Sequence, residues 1–82
     1  MPKLPVVSGK VLAKLLSKLG YEIIRQRGSH VRLQNITNLG EHNITVPMHK
    51  EIAKGTLNDI LSRVSLLNSI PKDELIEKLR RI

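Results

Sequence analysis

Cysteine, tryptophan and phenylalanine are absent from the 82 residues, and Tyr21 is the only aromatic. Without cysteine there is no disulfide framework, no thiolate zinc site and no cysteine nucleophile, and the absence suits a reducing compartment. Without several aromatics, the chain cannot hold single strands by stacking bases in succession. A nucleic-acid partner would have to be gripped through phosphates and shape. No apolar run approaches the about 20 residues of a membrane span. The apolar stretch within residues 1–7 is too short for a signal peptide, so the expectation is a cytoplasmic protein with no membrane association. Acids are also scarce: seven Asp and Glu stand against 14 Lys and Arg, a net charge of +7.

What is present is enough for one small domain. Hydrophobic residues make up 40% and charged residues 26%, too apolar for a disordered chain. A chain of this length has a thin core and no room for a second domain, so residues 1–82 are expected to form a single unit. The positive charge is uneven. Residues 1–35 carry seven lysines and arginines against Glu22 alone, whereas residues 36–82 carry seven against six acids. A one-sided positive field points to a polyanionic partner.

The order of elements reads as helix, three strands, helix, short helix. Residues 1–7, with two prolines, form an extended arm. Ser8 caps a helix starting at Gly9, whose apolar stripe is Val11, Leu12, Leu15, Leu16 and Leu19. Lys10, Lys14 and Lys18 lie on its other face, where Lys10 and Lys14 are candidate phosphate contacts. Residues 21–26 and 29–35 read as a hairpin around Gly28, with Val31 and Leu33 on one face and His30, Arg32 and Gln34 on the other. Two registers compete. A turn at Arg27-Gly28 pairs Arg25 with His30; a bulged three-residue turn pairs Gln26 with His30. The second turns Tyr21 and Ile23 onto the Val31/Leu33 face and is favoured by the apolar area it buries. Residues 38–43 read as a loop, and residues 44–48 as a third strand with Ile44, Val46 and Met48 inward. Gly55-Thr56 opens the second helix with Thr56 as cap and Leu57, Ile60, Leu61 and Val64 as its stripe. Ser69-Ile70-Pro71 starts the last helix, with Leu75, Ile76 and Leu79 inward. These periods predict an α+β fold, a three-stranded antiparallel sheet with helices on one face and the other face open.

The open face collects the candidate chemistry. His30, Arg32 and Gln34 lie on it, with Arg25 and Arg27 at the hairpin and Gln26 a further candidate. Histidine can both take and give a proton near neutrality. Arginines beside it can stabilise charge developing on a phosphate. RNA carries its own nucleophile in the 2′-hydroxyl, so a proton shuttle and cations suffice for its cleavage. Ser29 and His30 are adjacent on a strand and point to opposite faces, which excludes a serine–histidine pair. His30, His42 and His49 lack the ligand spacing of a metal site. His49, at the end of the third strand, is a possible second histidine; His42 falls in the loop and is given no role. Neither a metal nor a cofactor is expected.

The residues resemble the HicA family of toxins, the mRNA-cleaving halves of toxin–antitoxin pairs. The resemblance starts at Ser8-Gly9-Lys10 and Leu19-Gly20-Tyr21 and runs into Arg25-Gln26-Arg27-Gly28-Ser29-His30. It resumes at Thr45-Val46-Pro47-Met48-His49, Lys54-Gly55-Thr56-Leu57 and Ile60-Leu61, covering roughly residues 8–64. It implies a double-stranded-RNA-binding-like fold and metal-independent endoribonuclease activity with His30 as general acid or base. The bases Arg25, Arg27 and Arg32 would hold phosphates, and Gln26, Gly28 and Ser29 would shape and orient the strand. The partners would be mRNA and a cognate HicB antitoxin. Two stretches depart from the family pattern. Val11 stands where an acid is usual, and the segment from Val64 to Pro71 has no glycine, so residues 65–82 are divergent. The competing readings are a non-catalytic RNA-binding module of the same fold and a basic protein-interaction domain.

Overall fold

The computed structural model describes residues 3–82; Met1 and Pro2 of the expected arm lie outside the described residues. The elements are α1 (Gly9–Lys18), β1 (Glu22–Arg27), β2 (His30–Thr37), β3 (Gly40–Pro47), α2 (Lys54–Asn68) and α3 (Lys72–Arg80). The strands form one antiparallel sheet in the order β1-β2-β3. The element order and the sheet are those expected.

Helix α1 begins where Ser8 can satisfy a free amide of the first turn. Its Oγ accepts a hydrogen bond from the Val11 amide at 3.1 Å. Leu12, Leu15 and Leu16 are buried while Lys10, Lys14 and Lys18 are exposed. The inner face of the sheet presents Val31, Leu33, Ile44 and Val46 to the same core, which also takes in Leu57, Leu61 and Val64 of α2 and Leu75, Ile76 and Leu79 of α3. Two short tethers hold the chain around the start of α1: the Ile52 amide donates to the Val7 carbonyl (2.9 Å), and the Gly9 amide to the His49 carbonyl (3.0 Å).

The hairpin takes neither of the two registers expected from sequence. Its loop is Gly28-Ser29, with Arg27 opposite His30, Gln26 opposite Val31 and Arg25 opposite Arg32. Gly28 has φ +54, which a two-residue hairpin loop requires and which its missing side chain permits. The pairing then slips at Ile24, a bulge, so that Ile23 faces Leu33 and Glu22 faces Gln34. Strict alternation would put Tyr21, Ile23, Arg25 and Arg27 on one face. The bulge separates them, placing Tyr21 in the core and both arginines on the open face. Ile23 reaches the inner side yet stays 58% exposed, because the helices leave the edge strand β1 uncovered.

The second hairpin is also tighter than expected. Thr37 pairs with Gly40, so the turn is only Asn38-Leu39, and Glu41, His42 and Asn43 belong to β3 rather than to a loop. The Thr37 hydroxyl supplies the local support, accepting from the Leu39 amide (3.1 Å) and donating to the Gly40 carbonyl (2.8 Å).

Helix α2 starts at Lys54 behind Ala53 and has no side-chain cap, so Thr56 does not cap it. The buried Ile52 anchors the chain just before this point, and the Leu57 amide closes the first turn on the Ala53 carbonyl. The glycine-free segment is less irregular than it reads. α2 continues through Asn68, and Ser69 alone turns the chain at φ 53. A left-handed residue after a helix is usually glycine. Here Ser65 supports the turn: its carbonyl accepts from the Ile70 amide (3.1 Å) and its hydroxyl donates to the Ile70 carbonyl (2.6 Å). α3 begins at Lys72, after Pro71 rather than at Ser69, with Asp73 and Glu74 at its positive end.

Candidate functional site

The two hairpins bring five cross-strand positions onto the open face. Arg27 faces His30 and Arg25 faces Arg32 across β1 and β2, while Thr45 of β3 faces Arg32 from the other side. These five side chains line a shallow cavity of about 220 Å³. All five residues are exposed. Two guanidinium groups directly opposite one another cost stability unless something negative lies near. Among the described residues the only ion pairs are Arg63–Asp59 and Arg81–Glu77, on α2 and α3. Arg25, Arg27 and Arg32 therefore have no acidic partner among the described residues. The arrangement presents an imidazole and three guanidinium groups to one anion-sized space, with donors suited to phosphate oxygens.

The other sequence candidates fall at differing distances from this cavity. Gly28 and Ser29 form the hairpin loop beside it, and the Ser29 carbonyl accepts from the Met48 amide at 2.6 Å, joining the loop to the end of β3. Gln26 shares the Val31 side of the sheet and does not line the cavity, because the two-residue loop shifts it by one place from its expected pairing with His30. His49 is exposed one residue beyond Met48 and is not among the lining residues. Lys10 and Lys14 project from α1 in the layer behind the sheet, so they do not join the His30 cluster. Thr45 was legible only as an outward residue. Its place beside Arg32 depends on the β2–β3 register, for which the sequence carries no signal.

His42, whose role is not legible in the sequence, is buried and central to a polar network behind the sheet. Asn68 Nδ2 donates to the Tyr21 hydroxyl (2.9 Å), and that hydroxyl is hydrogen-bonded to His42 Nδ1 (2.6 Å). Asn35 Nδ2 donates to Asn68 Oδ1 (3.2 Å). Burial, and secondarily the charge of Arg63, pushes the His42 imidazole below the ordinary histidine range. Burial raises the Tyr21 hydroxyl, an effect opposed by the bond from Asn68. This network ties α2 to β2, to β3 and to Tyr21, the residue before β1, at the end of the sheet away from His30.

A pH dependence of stability follows. A histidine with a lowered folded pKa binds fewer protons folded than unfolded. Its contribution is complete above the unfolded value of about 6.5 and declines as pH falls below that value toward the folded pKa. Urea midpoints measured between pH 7.5 and 5 should therefore fall on acidification, and the fall should shrink in His42→Gln. An unchanged slope in that variant would remove His42 as the cause.

Residues 9–70 match the family model described as the HicA toxin of bacterial toxin–antitoxin systems. That span covers most of the chain, including α1, the whole sheet and α2, and the protein belongs to the HicA toxin family. Comparison with curated proteins and with solved structures returned no match. The family makes this chain the toxin of a pair and implies an antitoxin partner. No helix among the described residues is long and apolar enough to cross a membrane.

Proposed function

We propose that the toxin acts as a metal-independent endoribonuclease on mRNA, with His30 as its general acid or base. The observation that carries the reading is the cluster of Arg25, Arg27 and Arg32 around an exposed histidine, free of carboxylates among the described residues, in a chain of this family. In the reaction the ribose 2′-hydroxyl attacks the adjacent phosphorus and the P–O5′ bond breaks. The products are a 2′,3′-cyclic phosphate and a 5′-hydroxyl. The imidazole takes the proton from the attacking hydroxyl or gives one to the departing oxygen. The guanidinium groups stabilise the extra negative charge on the phosphoryl oxygens. An antitoxin of the HicB type would silence the enzyme by covering this face, and acidic residues on it would complement the exposed arginines.

Incubation of the purified protein with end-labelled RNA in EDTA tests the proposal. Cleavage products ending in cyclic phosphate are expected; intact RNA from a preparation that arrests growth when expressed contradicts it. RNA affinity should also fall with salt. If the three arginines and one further cation each meet a phosphate of a single strand, log K against log salt should have a slope of roughly −3. Titrations at several salt concentrations read it directly, and a flat response is incompatible with a phosphate-binding face.

A further inference from the structure

A second cavity adjoins the one beside His30 at Thr45. This space, of about 270 Å³, lies between β3 and α2. Asn43 stands beside it on the strand, and Thr56, Asp59 and Arg63 face it from the helix. The chemistry of the two spaces differs. The first sets three guanidinium groups and an imidazole beside the Thr45 hydroxyl and holds no carboxylate, whereas the second sets a carboxylate, an amide and two hydroxyls beside one guanidinium. A carboxylate repels a phosphate but accepts hydrogen bonds from the donor edge of a base. Asp59 Oδ2 lies 3.3 Å from Arg63 Nη2, and both side chains are more than half exposed, so this pair exchanges readily for other partners. Asn43 is only half satisfied. Its Nδ2 donates to Glu41 Oε2 (3.1 Å), while its Oδ1 is buried without a partner among the described residues. Unpaired buried acceptors are uncommon in native proteins. A turn of the amide toward the cavity would offer that oxygen to a ligand donor. The buried Ile44 and Ile60 complete the cavity's apolar lining.

We propose that this second cavity holds the nucleobase next to the phosphate bound at His30, and that it selects guanine. The proposal rests on the ribonuclease reading above and adds a sequence preference to it. Guanine carries two adjacent donors, N1–H and the N2 amine, which match the Asp59 carboxylate. It also carries the O6 and N7 acceptors that match the Arg63 guanidinium. Adenine and cytosine set an acceptor nitrogen beside their amine, which a carboxylate opposes. Uracil has a single donor between two carbonyls.

Binding by the full chain carrying His30→Ala separates base selection from cleavage. The probes are a fluorescent oligouridine with one central guanine and the same oligomer with uracil there. The guanine probe should bind about tenfold more tightly, within the range of a paired base contact. Inosine in place of guanine, which lacks the N2 amine, should forfeit most of that gain. Asp59→Asn, added to the same protein, should reduce the gain below about twofold; Asp59 is exposed, and far-UV circular dichroism of the variant should match that of its parent. Equal affinity for the guanine and uracil probes overturns the base pocket whatever the wild type cleaves. A guanine preference in a wild-type protein that cuts no RNA overturns the ribonuclease reading and leaves the pocket standing. Absence of RNA binding at low salt overturns both.

Discussion

If the proposed ribonuclease reading holds, replacing His30 by alanine should lower the rate of RNA cleavage about 10²–10⁴-fold, the usual loss when a positioned proton shuttle is removed. The fold does not share the loss. The His30 side chain is exposed and makes no hydrogen bond among those found in the described residues, and surface changes of this kind alter stability by about 0.5 kcal/mol or less. Its backbone pairings with Arg27 and Pro47 persist in any residue that accepts extended geometry. Cleavage rates and thermal midpoints of the wild type and His30→Ala, measured on the same preparations, should thus separate: a collapse of rate beside an unchanged midpoint. Because the three arginines remain, the variant should still bind RNA with the wild-type salt dependence. A variant that cuts at the wild-type rate removes the imidazole from the mechanism.

Gly9→Ala is expected to cause the largest loss of stability from a single methyl group. A Cβ at this position would lie 2.1 Å from the Pro47 carbonyl oxygen and 2.8 Å from the Met48 Cα. Both neighbours are backbone, so no side chain can rotate aside. The contact is also held from both sides: the Gly9 amide bonds the His49 carbonyl, and the Met48 amide bonds the Ser29 carbonyl. Relief requires moving the start of α1 away from the end of β3, which loosens the hairpin loop next to His30. Overpacking typically costs about 1–3 kcal/mol, and a backbone clash belongs at the upper end. At about 3 kcal/mol the thermal midpoint of a chain this size falls by roughly 12–24 °C. Gly55→Ala is the control. It lies in the first turn of α2 with nothing within 4 Å of the added atom, and should raise stability by about 0.5–1 kcal/mol. Equal midpoints for Gly9→Ala and the wild type would contradict the close approach of helix and strand.

Much of the architecture is legible along the chain because it is written in local periods. The 3.6-residue spacing of Leu12, Leu15 and Leu16, and of Leu57, Ile60, Leu61 and Val64, marks two buried helical faces that the structure retains. Ser8 marks a helix start by its own hydroxyl. Boundaries were less legible where no side chain encodes them. α2 starts behind Ala53 because Ile52 is pinned by the core, and it ends on Ser69, a residue type that rarely adopts a left-handed turn.

The sequence by itself determined the residue types available for function: one histidine next to a glycine turn, arginines on either side of it, and a surplus of positive charge in the first half of the chain. Only the tertiary structure decided which of them meet. The Gly28-Ser29 loop placed Arg27 rather than Gln26 opposite His30, and the Ile24 bulge let Tyr21 enter the core while Arg25 stayed outside. Pairing with β3 brought Thr45 to the cavity and drew His42 into the network around Tyr21. The physical reason is the two-residue period of a strand. A shift of one residue exchanges its faces, and that choice depends on which apolar side chains the helices can cover together, a sum over the whole fold rather than a property of any segment.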